Sequence, residues 1–335
     1  MGTGSEEGAR GMRILHPTER LAGPTVVTVG TFDGVHLGHQ RLIAAAQALA
    51  ERNRATLVVL TFDRHPLSVI RPAMAPRLLT PLDQKLEALA ALAVPWVKVL
   101  SFTPELARTG PEQFLDQELG QALAASGVAV GYNFTFGAGG RGTAETLAQW
   151  GARRGVTVEV LPPVQLEGVG VVSSSWIRKR IEAADFEAAR AALGRPYAVA
   201  ARVETGMGRG RRIGVPTANL TPDPDQVMPP FGVYAGWALV GSGAQPVAAV
   251  ANWGLRPTFG DAESPVLEVH LLDGTGWQLV GQRLAFGFVR RLRGEQRFSS
   301  VEALVAQIGA DIETARASLG EAKPAIAPGF GGVIQ

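Results

Sequence analysis

Two histidines in the segment 30–39 (GTFDGVHLGH) have the spacing expected of a phosphate-binding site. The segment follows an apolar, β-branched run at 26–29 and precedes an Ala-rich stretch, which predicts a loop leading from a strand into a helix. A helix start offers unpaired N–H groups and the positive end of the helix dipole, and both favour phosphate. His36 and His39, three residues apart on the first turn, would stabilise negative charge that develops on a triphosphate.

Other interpretations of this histidine pair are simpler. A helix start with two surface histidines also fits the segment, because short motifs have many false positives. A zinc site would need a third ligand, and none has a sensible spacing. Gly30, Gly34 and Gly38 would let the main chain turn tightly and approach a ligand. The order of strand, Gly-rich loop, His-x-Gly-His and helix therefore favours phosphate chemistry.

A second Gly-rich segment, 206–214 (GMGRGRRIG), also contains arginines. Glycine N–H groups can cradle phosphates, and the arginines add positive charge. It is not a Walker A loop, because no Gly-Lys-Ser/Thr ends it. If the residues after it are extended, Thr217 and Asn219 share a face and offer hard oxygen ligands to Mg²⁺. A solvated basic hairpin followed by a turn is the alternative.

The alternating segment 266–272 predicts a strand that carries an acid–base group. Leu267 and Val269 face one way, and Glu268 faces the other way with His270. On an exposed edge Glu268 would be a surface carboxylate, whereas at a barrel mouth partial burial would suit it to act as a base. His270 shares its face and competes for the same role.

Three serines, Ser173, Ser174 and Ser175, precede another predicted helix. Their hydroxyls could cap that helix or bind an anion. Arg178 follows on the first turn and would supply a fixed guanidinium fork for phosphate oxygens. Capping alone is the simpler interpretation.

The predicted secondary structure changes character near residue 195. Apolar strands at 26–29, 57–62, 96–100, 128–130 and 156–160 alternate with helices at 42–54, 82–92, 111–123 and 143–154. This alternation is typical of an α/β fold with a parallel sheet. After a helix at 176–193, Gly and Pro separate strands at 198–204, 232–240, 247–252, 266–272 and 282–289, and a helix at 300–319 follows. Such strands indicate an antiparallel barrel or sandwich.

These patterns predict two domains with a tail at each end. The predicted boundaries are a disordered tail at 1–11, an α/β domain at 12–184, a β domain at 185–319 and a disordered tail at 320–335. The last segment is rich in Ala, Pro and Gly and has little to bury.

The composition excludes several classes of protein. The chain has no cysteine, so disulfides, thiolate zinc sites and cysteine nucleophiles are excluded. No apolar run approaches the roughly 20 residues that cross a bilayer, and the N-terminus lacks an apolar signal region. We therefore expect a cytoplasmic protein with no membrane partner. A net charge of +2 is too balanced to imply a nucleic acid partner, and nothing in the sequence specifies an oligomeric state.

The run 29–40 (VGTFDGVHLGHQ) resembles the signature of the bacterial bifunctional riboflavin kinase/FAD synthetases, within the wider superfamily of His-x-Gly-His nucleotidyltransferases. Segments 61–66 (TFDRHP), 131–137 (GYNFTFG) and 172–178 (VSSSWIR) are similar to further motifs of that family. Ser175 stands where the family usually has Thr, and Trp176 stands where it often has Arg. The resemblance covers about residues 13–319.

The resemblance implies a Rossmann-like nucleotidyltransferase domain that adenylates FMN to FAD with ATP and Mg²⁺ and releases pyrophosphate. His36 and His39 are its implied catalytic residues. The implied nucleotide- and phosphate-binding residues are Gly30, Phe32, Asp33, Gly34, Gly38, Ser173, Ser174, Ser175 and Arg178. The implied flavin-binding residues of this domain are Asn133, Phe134 and Phe136.

The second half resembles riboflavin kinases in the pattern G-x-x-x-G-R…G-x-P-T-A-N and in blocks at 230–235, 252–259, 267–271 and 292–298. The implied fold is a small closed β-barrel that phosphorylates riboflavin to FMN with ATP. The implied phosphate-binding residues are Gly206, Gly210, Arg211 and Gly214, and the implied Mg²⁺ ligands are Thr217 and Asn219. Glu268 is the implied base, and Glu295 and Phe298 are implied to bind flavin.

Two rival functions remain at this point. The first is a nucleotidyltransferase for another phosphorylated acceptor with the β domain as a regulator, and the Pro-Thr-Ala-Asn and Leu-Glu-Val-His blocks weigh against it. The second is RNA binding through Arg209, Arg211 and Arg212. Their loop contains no aromatic side chain on which bases could stack, which weighs against RNA.

Overall fold

A computed structural model describes residues 11–16, 18–206, 210, 213–241, 245–257, 263–273 and 277–320, without the side chains of 256, 257 and 263. The chain divides into two compact units, one ending at Ser174 and the other beginning at Ser175. This division lies ten residues before the boundary predicted at 184/185. The predicted tails fall outside the described residues, apart from Gly11 and Gly320.

The first unit contains a six-stranded parallel sheet. Its strands are β1 (Arg13–Ile14), β2 (Thr25–Val29), β3 (Thr56–Phe62), β4 (Trp96–Leu100), β5 (Ala125–Gly131) and β8 (Thr157–Leu161). They lie in the order β1-β4-β3-β2-β5-β8, and all neighbours are parallel. The chain turns to opposite sides of β2 to form β3 and β5, so the carboxyl end of β2 is the switch point where ligands bind in such sheets.

Helices cover both faces of this sheet. They are α1 (Leu37–Asn53), α2 (Leu67–Ile70), α3 (Leu82–Ala91), α4 (Pro104–Arg108), α5 (Pro111–Phe114) with its π-helical continuation Leu115–Ala122, and α6 (Ala144–Arg154). Val26 shares an apolar cluster with Leu49 of α1 and Leu89 of α3. Val27, on the opposite face of β2, shares a cluster with Leu119 and Trp150. Both faces are buried, which explains why β2 has no polar alternation.

Short elements complete the first unit. Two small ribbons pair β6 (Thr135–Phe136) with β7 (Gly142–Thr143) and β9 (Gln165–Leu166) with β10 (Gly170–Val171). Single 3₁₀ turns lie at Pro72–Met74 and Ala138–Gly140.

The helix predicted at 176–193 is in fact two helices. They are α7 (Ser174–Glu182) and α8 (Phe186–Leu193). Ala184 has φ +56, a left-handed conformation that ends the helical hydrogen-bond pattern. The Asp185 carboxylate then caps α8 by accepting a bond of 3.2 Å from the Ala188 N–H. The Asp185 cap was the sequence signal for this break, and an Ala-rich context hid it.

The second unit is built around a closed antiparallel barrel. Its strands are β11 (Tyr197–Glu204), β12 (Ala218–Leu220), β13 (Gly232–Val240), β14 (Val247–Pro257), β15 (Glu263–Leu271) and β16 (Arg283–Arg293), in the order β11-β12-β15-β14-β13-β16. The fold class predicted from the sequence is thus confirmed for both units. Strand β12 was not predicted, because three residues between two prolines carry no readable alternation.

Helix α9 (Val301–Leu319) covers part of the outer wall of the barrel. Val233 and Trp237 on β13 share an apolar cluster with Ala315 and Leu319 on this helix. No helix among the described residues is long and apolar enough to cross a bilayer.

Candidate active sites

The loop after β2 turns sharply before it enters α1. The Gly30 N–H donates to the Leu60 carbonyl at 3.1 Å, which extends the pairing of β2 with β3 by one residue. Phe32 and Val35 then have φ of +48 and +40. These left-handed conformations are unusual for side chains of this size, and neighbouring contacts must hold them. The loop is therefore a conformation that the surrounding structure maintains.

The two predicted catalytic histidines lie together at the start of α1. The His36 and His39 rings stack with centroids 3.7 Å apart and planes 15° apart. His36 is the N-cap, and its Nδ1 accepts a bond of 3.3 Å from the His39 N–H. Because Nδ1 accepts, the neutral ring carries its proton on Nε2, which makes Nε2 the donor that can act on a phosphate.

Two predicted nucleotide-binding residues instead support this pair of rings. Phe32 is completely buried, and its ring packs edge-on against His39 with centroids 5.2 Å apart. A Cβ at Gly38 would lie 3.0 Å from the His36 ring, so a larger residue there would have to displace that ring. The Phe32 side chain thus positions a histidine, and only its main chain remains suited to contact a nucleotide.

Asp33 anchors the loop through its carboxylate. Its Oδ1 accepts bonds from the Leu79 and Thr80 N–H groups at 2.8 and 3.1 Å. The Gly34 N–H donates to Thr80 Oγ1 at 3.0 Å, and Ser174 Oγ donates to the Asp33 carbonyl at 2.9 Å. Ser174 of the predicted serine motif therefore contacts the predicted phosphate loop directly. A carboxylate bonded in this way holds the main chain of the loop in place.

The rest of the serine motif lies on or beside α7. Ser173 is half-buried, and Ser175 and Arg178 belong to the helix. Arg178 is buried, and its Nη1 donates to Ser175 Oγ at 3.5 Å.

The predicted flavin loop of the first unit presents two aromatic rings. Phe134 and Phe136 stack with centroids 5.2 Å apart, and Asn133 beside them is exposed. A Cβ at Gly137 would lie 2.8 Å from the main chain of Pro111, so this position requires glycine. Phe134 is half-buried, whereas Phe136 is buried in the apolar core and packs behind it, so only Phe134 offers partly exposed ring surface.

The second predicted site lies on the barrel wall. Glu268 on β15 is paired in register with Asn219 on β12 and with Asn252 on β14. Side chains at directly paired positions project from the same face. Asn252 is itself paired with Val233, which packs on the α9 side of the wall. Glu268 therefore projects outward, half-buried, from an interior strand rather than from an edge or a barrel mouth.

Thr217 and Asn219 lie against two glycines of the Gly-rich segment. A Cβ at Gly206 would lie 2.1 Å from Asn219 Nδ2, and one at Gly210 would lie 3.3 Å from Thr217 Oγ1. The amide nitrogen of Asn219 thus packs against the loop, while Oδ1 lies further from it. Gly214 forms an exposed turn with φ +81. Arg211 lies outside the described residues.

His270 has a different environment from the one expected of a base. Its Nδ1 donates to the Pro216 carbonyl at 2.8 Å. This bond fixes the residue directly before Thr217, so His270 positions the Pro-Thr-Ala-Asn segment. Glu268 remains the better candidate base, because it lies between two polar side chains that face the same way.

Comparisons with known proteins assign the chain to a family. The family model described as FAD synthetase matches residues 18–175, and the one described as riboflavin kinase matches residues 193–319. A bifunctional riboflavin kinase/FMN adenylyltransferase of Bacillus subtilis is 35% identical over 312 residues, which cover 91% of this chain and 96% of that protein. This chain belongs to the bifunctional riboflavin kinase/FMN adenylyltransferase family. The resemblance seen in its motifs is thereby confirmed.

Other comparisons agree with membership of the riboflavin kinase/FMN adenylyltransferase family. The Escherichia coli K12 member is 37% identical over 300 residues, covering 90% of this chain and 94% of that protein. A crystal structure described as a macrolide-efflux protein from Streptococcus pneumoniae has a TM-score of 0.77 at 30% identity, covering 88% of this chain and 95% of that chain. The family models and curated relatives name flavin enzymes, so this last likeness is one of fold.

The predicted flavin residues of the kinase half lie where β16 ends. A Cβ at Gly254 would lie 2.3 Å from Glu295 Oε1, so the Glu295 carboxylate rests directly on the main chain of β14. Arg293 lies over the Phe298 ring at 5.6 Å. Its Nε donates to both Asp311 carboxylate oxygens at 3.1 Å, and its Nη2 donates to Oδ2 at 2.8 Å. Helix α9 therefore orients the segment that carries both predicted flavin contacts.

The sequence analysis missed two residues that the fold brings to these sites. Asn252 lies beside Glu268 through strand register, which short sequence patterns do not reveal. Lys85 on α3 lies beneath the phosphate loop and is 6% exposed. Burial lowers the pKa of Lys85 to about 8. A lysine in an ordinary amphipathic helix carries no sequence signal for such a role.

Proposed function

We propose that this chain converts riboflavin to FAD in two steps, each catalysed by its own unit. The barrel unit phosphorylates riboflavin to FMN, and the parallel-sheet unit adenylates FMN to FAD. The observation that carries the proposal is that each unit assembles its own set of reactive groups. His36 stacks on His39 at a helix start in one unit, and Glu268 is paired in register with Asn219 in the other.

Adenylyl transfer needs positioning and charge neutralisation rather than a covalent enzyme intermediate. An FMN phosphate oxygen attacks the α-phosphorus of ATP, the bond to the bridging oxygen breaks, and pyrophosphate leaves. The N–H groups at the start of α1 favour the phosphates. His36 Nε2–H and the His39 ring stabilise the negative charge that grows in the transition state. Ser173 and Ser174, which belong to the same unit as the histidines, are proposed further contacts to the triphosphate.

Phosphoryl transfer to riboflavin needs a group that accepts the proton of the ribityl 5′-hydroxyl. Glu268 is the proposed acceptor. The new bond forms between the 5′-oxygen and the γ-phosphorus of ATP, and ADP leaves. Asn219 and Asn252 are paired in register with Glu268 on either side and project from the same face of the wall. Loose phosphoryl-transfer transition states need only modest activation of the hydroxyl, so orientation is the main contribution of this wall.

A magnesium ion fits the residues of the kinase site. No group of three or more His, Asp or Glu that could hold a metal is found among the described residues. Mg²⁺ usually takes one or two protein oxygens together with phosphates and water, so such a group is not required. Thr217 Oγ1 and Asn219 Oδ1 are the proposed ligands. When bound, Mg²⁺ would neutralise charge on the ATP phosphates.

The flavin contacts remain proposals drawn from the same arrangement. The half-buried Phe134 ring, with Asn133 beside it and Phe136 packed behind it, offers one surface to FMN. Phe298 and Glu295 offer another to riboflavin. Aromatic rings suit the isoalloxazine system because offset stacking favours flat, apolar ligands.

The small-molecule substrates follow from the family, and the remaining partner predictions stay open to test. We propose that nucleic acid is not a partner, and a salt-titrated RNA-binding assay checks this. The cytoplasmic location predicted from the sequence stays a prediction.

A product analysis tests the proposed function directly. Pure protein is incubated with riboflavin, ATP and Mg²⁺, and riboflavin, FMN and FAD are separated by chromatography. We expect FMN to appear first and FAD to follow. A second reaction that starts from FMN should give FAD without riboflavin phosphorylation. Accumulation of FMN with no FAD from either reaction would contradict the proposed role of the first unit.

A further inference from the structure

Lys85 lies where the phosphate loop meets the end of β3. Its Nζ donates to the Thr31 carbonyl at 3.1 Å, to the Phe62 carbonyl at 2.8 Å and to Thr61 Oγ1 at 3.2 Å. Thr61 Oγ1 in turn donates to the same Thr31 carbonyl at 3.2 Å. All three protons of the ammonium are therefore used to join the loop to the carboxyl end of the neighbouring strand.

The hydrogen bonds of Lys85 lie at the carboxyl ends of the parallel strands, where the proposed phosphate site is. Thr31 belongs to the loop that leads into His36, and the loop follows β2 at the switch point. The residues just before α3 hold the other side of the same loop, because Asp33 and Gly34 bond to Leu79 and Thr80. The segment that contains α3 thus forms hydrogen bonds to the loop at two places. One is at Leu79 and Thr80, and the other is at Lys85.

A buried ammonium is a costly way to join two main-chain segments. An apolar side chain of similar length would avoid the desolvation of the charge, and stability alone does not explain such a group. A charge with three directed donors does fix the positions of the acceptors that it contacts. One acceptor here, the Thr31 carbonyl, belongs to a loop with two strained non-glycine residues, Phe32 and Val35, and the other two lie at the end of β3.

We propose that Lys85 is a positioning residue for adenylyl transfer, because it holds the Thr31 main chain in the one arrangement that aligns His36 and His39. The proposal rests on the proposed function of the first unit. It also predicts that loss of one proton from the ammonium weakens the reaction, since an amine can donate at most two hydrogen bonds.

The pH window follows from the surroundings of Lys85. Burial lowers its pKa to about 8, and the negative charges of Asp33 and Asp63 act in the opposite direction. Adenylyl transfer should therefore fall as the pH rises through about 8. Stability should change in the opposite sense. The unfolded chain holds the proton up to the ordinary pKa of 10.5, so this group adds to the free energy of unfolding as the pH rises from about 8 to 10.5.

The rate of adenylyl transfer and the free energy of unfolding should thus change in opposite directions with pH. This difference distinguishes a positioning role of Lys85 from a role in stability alone. The rate of FAD formation from supplied FMN is measured from about pH 7 to about pH 9.5 for wild type and for Lys85→Met, with unfolding followed in parallel. We expect kcat at pH 7 to fall roughly 10- to 100-fold in the variant, with little change in KM. The ratio of wild-type to variant rate should decline with an apparent pKa near 8.

Lys98→Met is the matched control. Lys98 on β4 is equally buried at 6% exposure, but its ammonium pairs with the Glu118 carboxylate at 2.7 Å. This variant should lose stability and keep the wild-type rate for the folded protein, with a rate ratio that does not depend on pH. Riboflavin phosphorylation, measured in the same samples, should be unchanged in both variants.

Several outcomes would overturn the proposal. One is a Lys85→Met rate within about twofold of wild type, and another is a rate ratio that stays level with pH. An equal loss of rate in Lys98→Met is a third. If Lys85→Met does not fold, Lys85→Gln and the wild-type profile decide, and a wild-type rate that stays level through pH 8 to 9.5 overturns the proposal. Absence of FAD formation in wild type would instead contradict the proposed function.

Discussion

The two units hold their reactive groups by different means. In the first unit the histidines follow a loop whose shape depends on side-chain contacts to Asp33 and Lys85. In the second unit Asn219, Glu268 and Asn252 lie on paired strands, and the main-chain ladder sets their spacing. A loop site can be lost through one distant anchor, whereas a strand site persists as long as the register does.

The difference extends to the supports around each site. The first unit uses a buried ammonium next to the chemistry, and burial lowers the pKa of Lys85 to about 8. The barrel unit uses glycines at Gly206, Gly232 and Gly254, where a Cβ would lie within 2.4 Å of a neighbouring atom. Close main-chain approach does not change with pH. We therefore expect FAD formation in the first unit to depend more strongly on pH than FMN formation in the barrel unit.

Physical separation of the units should have the largest effect. A fragment of residues 175–319 should fold, make FMN at close to the full rate and make no FAD, because its core is its own. A fragment that starts at 185 lacks α7 and should unfold at a lower temperature. Chromatography of the products and thermal unfolding measure both effects. A folded 175–319 fragment that is inert with riboflavin and Mg-ATP would contradict the division.

Removal of the proposed base should have the next largest effect. Glu268→Gln keeps the shape of the side chain and loses its basicity, so kinase kcat should fall roughly 100- to 10,000-fold while riboflavin still binds. FAD formation from supplied FMN should not change. His270→Ala should have a smaller effect, because His270 contacts Pro216 and supports the segment that carries the proposed Mg²⁺ ligands. Near-normal turnover of Glu268→Gln together with an inactive His270→Ala would reverse the two assignments.

Loss of either His36 or His39 should block FAD formation. His36→Ala or His39→Ala removes a donor to developing phosphate charge, and FAD formation should fall on the order of 100-fold or more. His36→Ala also removes the N-cap of α1, so FAD formation should fall further in this variant than in His39→Ala. FMN and FAD are quantified in one reaction. Equal losses of both products would indicate misfolding or a shared site.

The smallest effect concerns the contact of α9 with the barrel. Asp311→Ala leaves Arg293 largely buried without its carboxylate partner, which should lower the free energy of unfolding by about 3 kcal/mol. The KM for riboflavin should rise as well, because Arg293 packs on Phe298. Asp273→Ala is the matched control, since its pair with Arg316 also joins α9 to the barrel but is exposed. That control should cost less than about 1 kcal/mol.

The motifs and most elements could be read from the sequence because they depend on short spacings. Each of these patterns spans about ten residues of chain or fewer. They are the His-x-Gly-His loop, the alternation that turns Glu268 away from the core, and the Pro-Thr-Ala-Asn segment. The break between α7 and α8 at Ala184 could not be predicted from the sequence, because Ala favours helix and the Asp185 cap is a weak competing signal.

The tertiary structure decided which of these residues support the chemistry. Asp33 and Phe32 lie in the predicted phosphate loop, yet their side chains anchor and pack the loop. The sequence alone determined that the chain carries a nucleotidyltransferase motif set and a kinase motif set. Only the fold brought Lys85 under Thr31, 54 residues away, and placed Glu268 between two asparagines. Long-range hydrogen bonds and strand register depend on the packing of whole elements, so no local pattern encodes them.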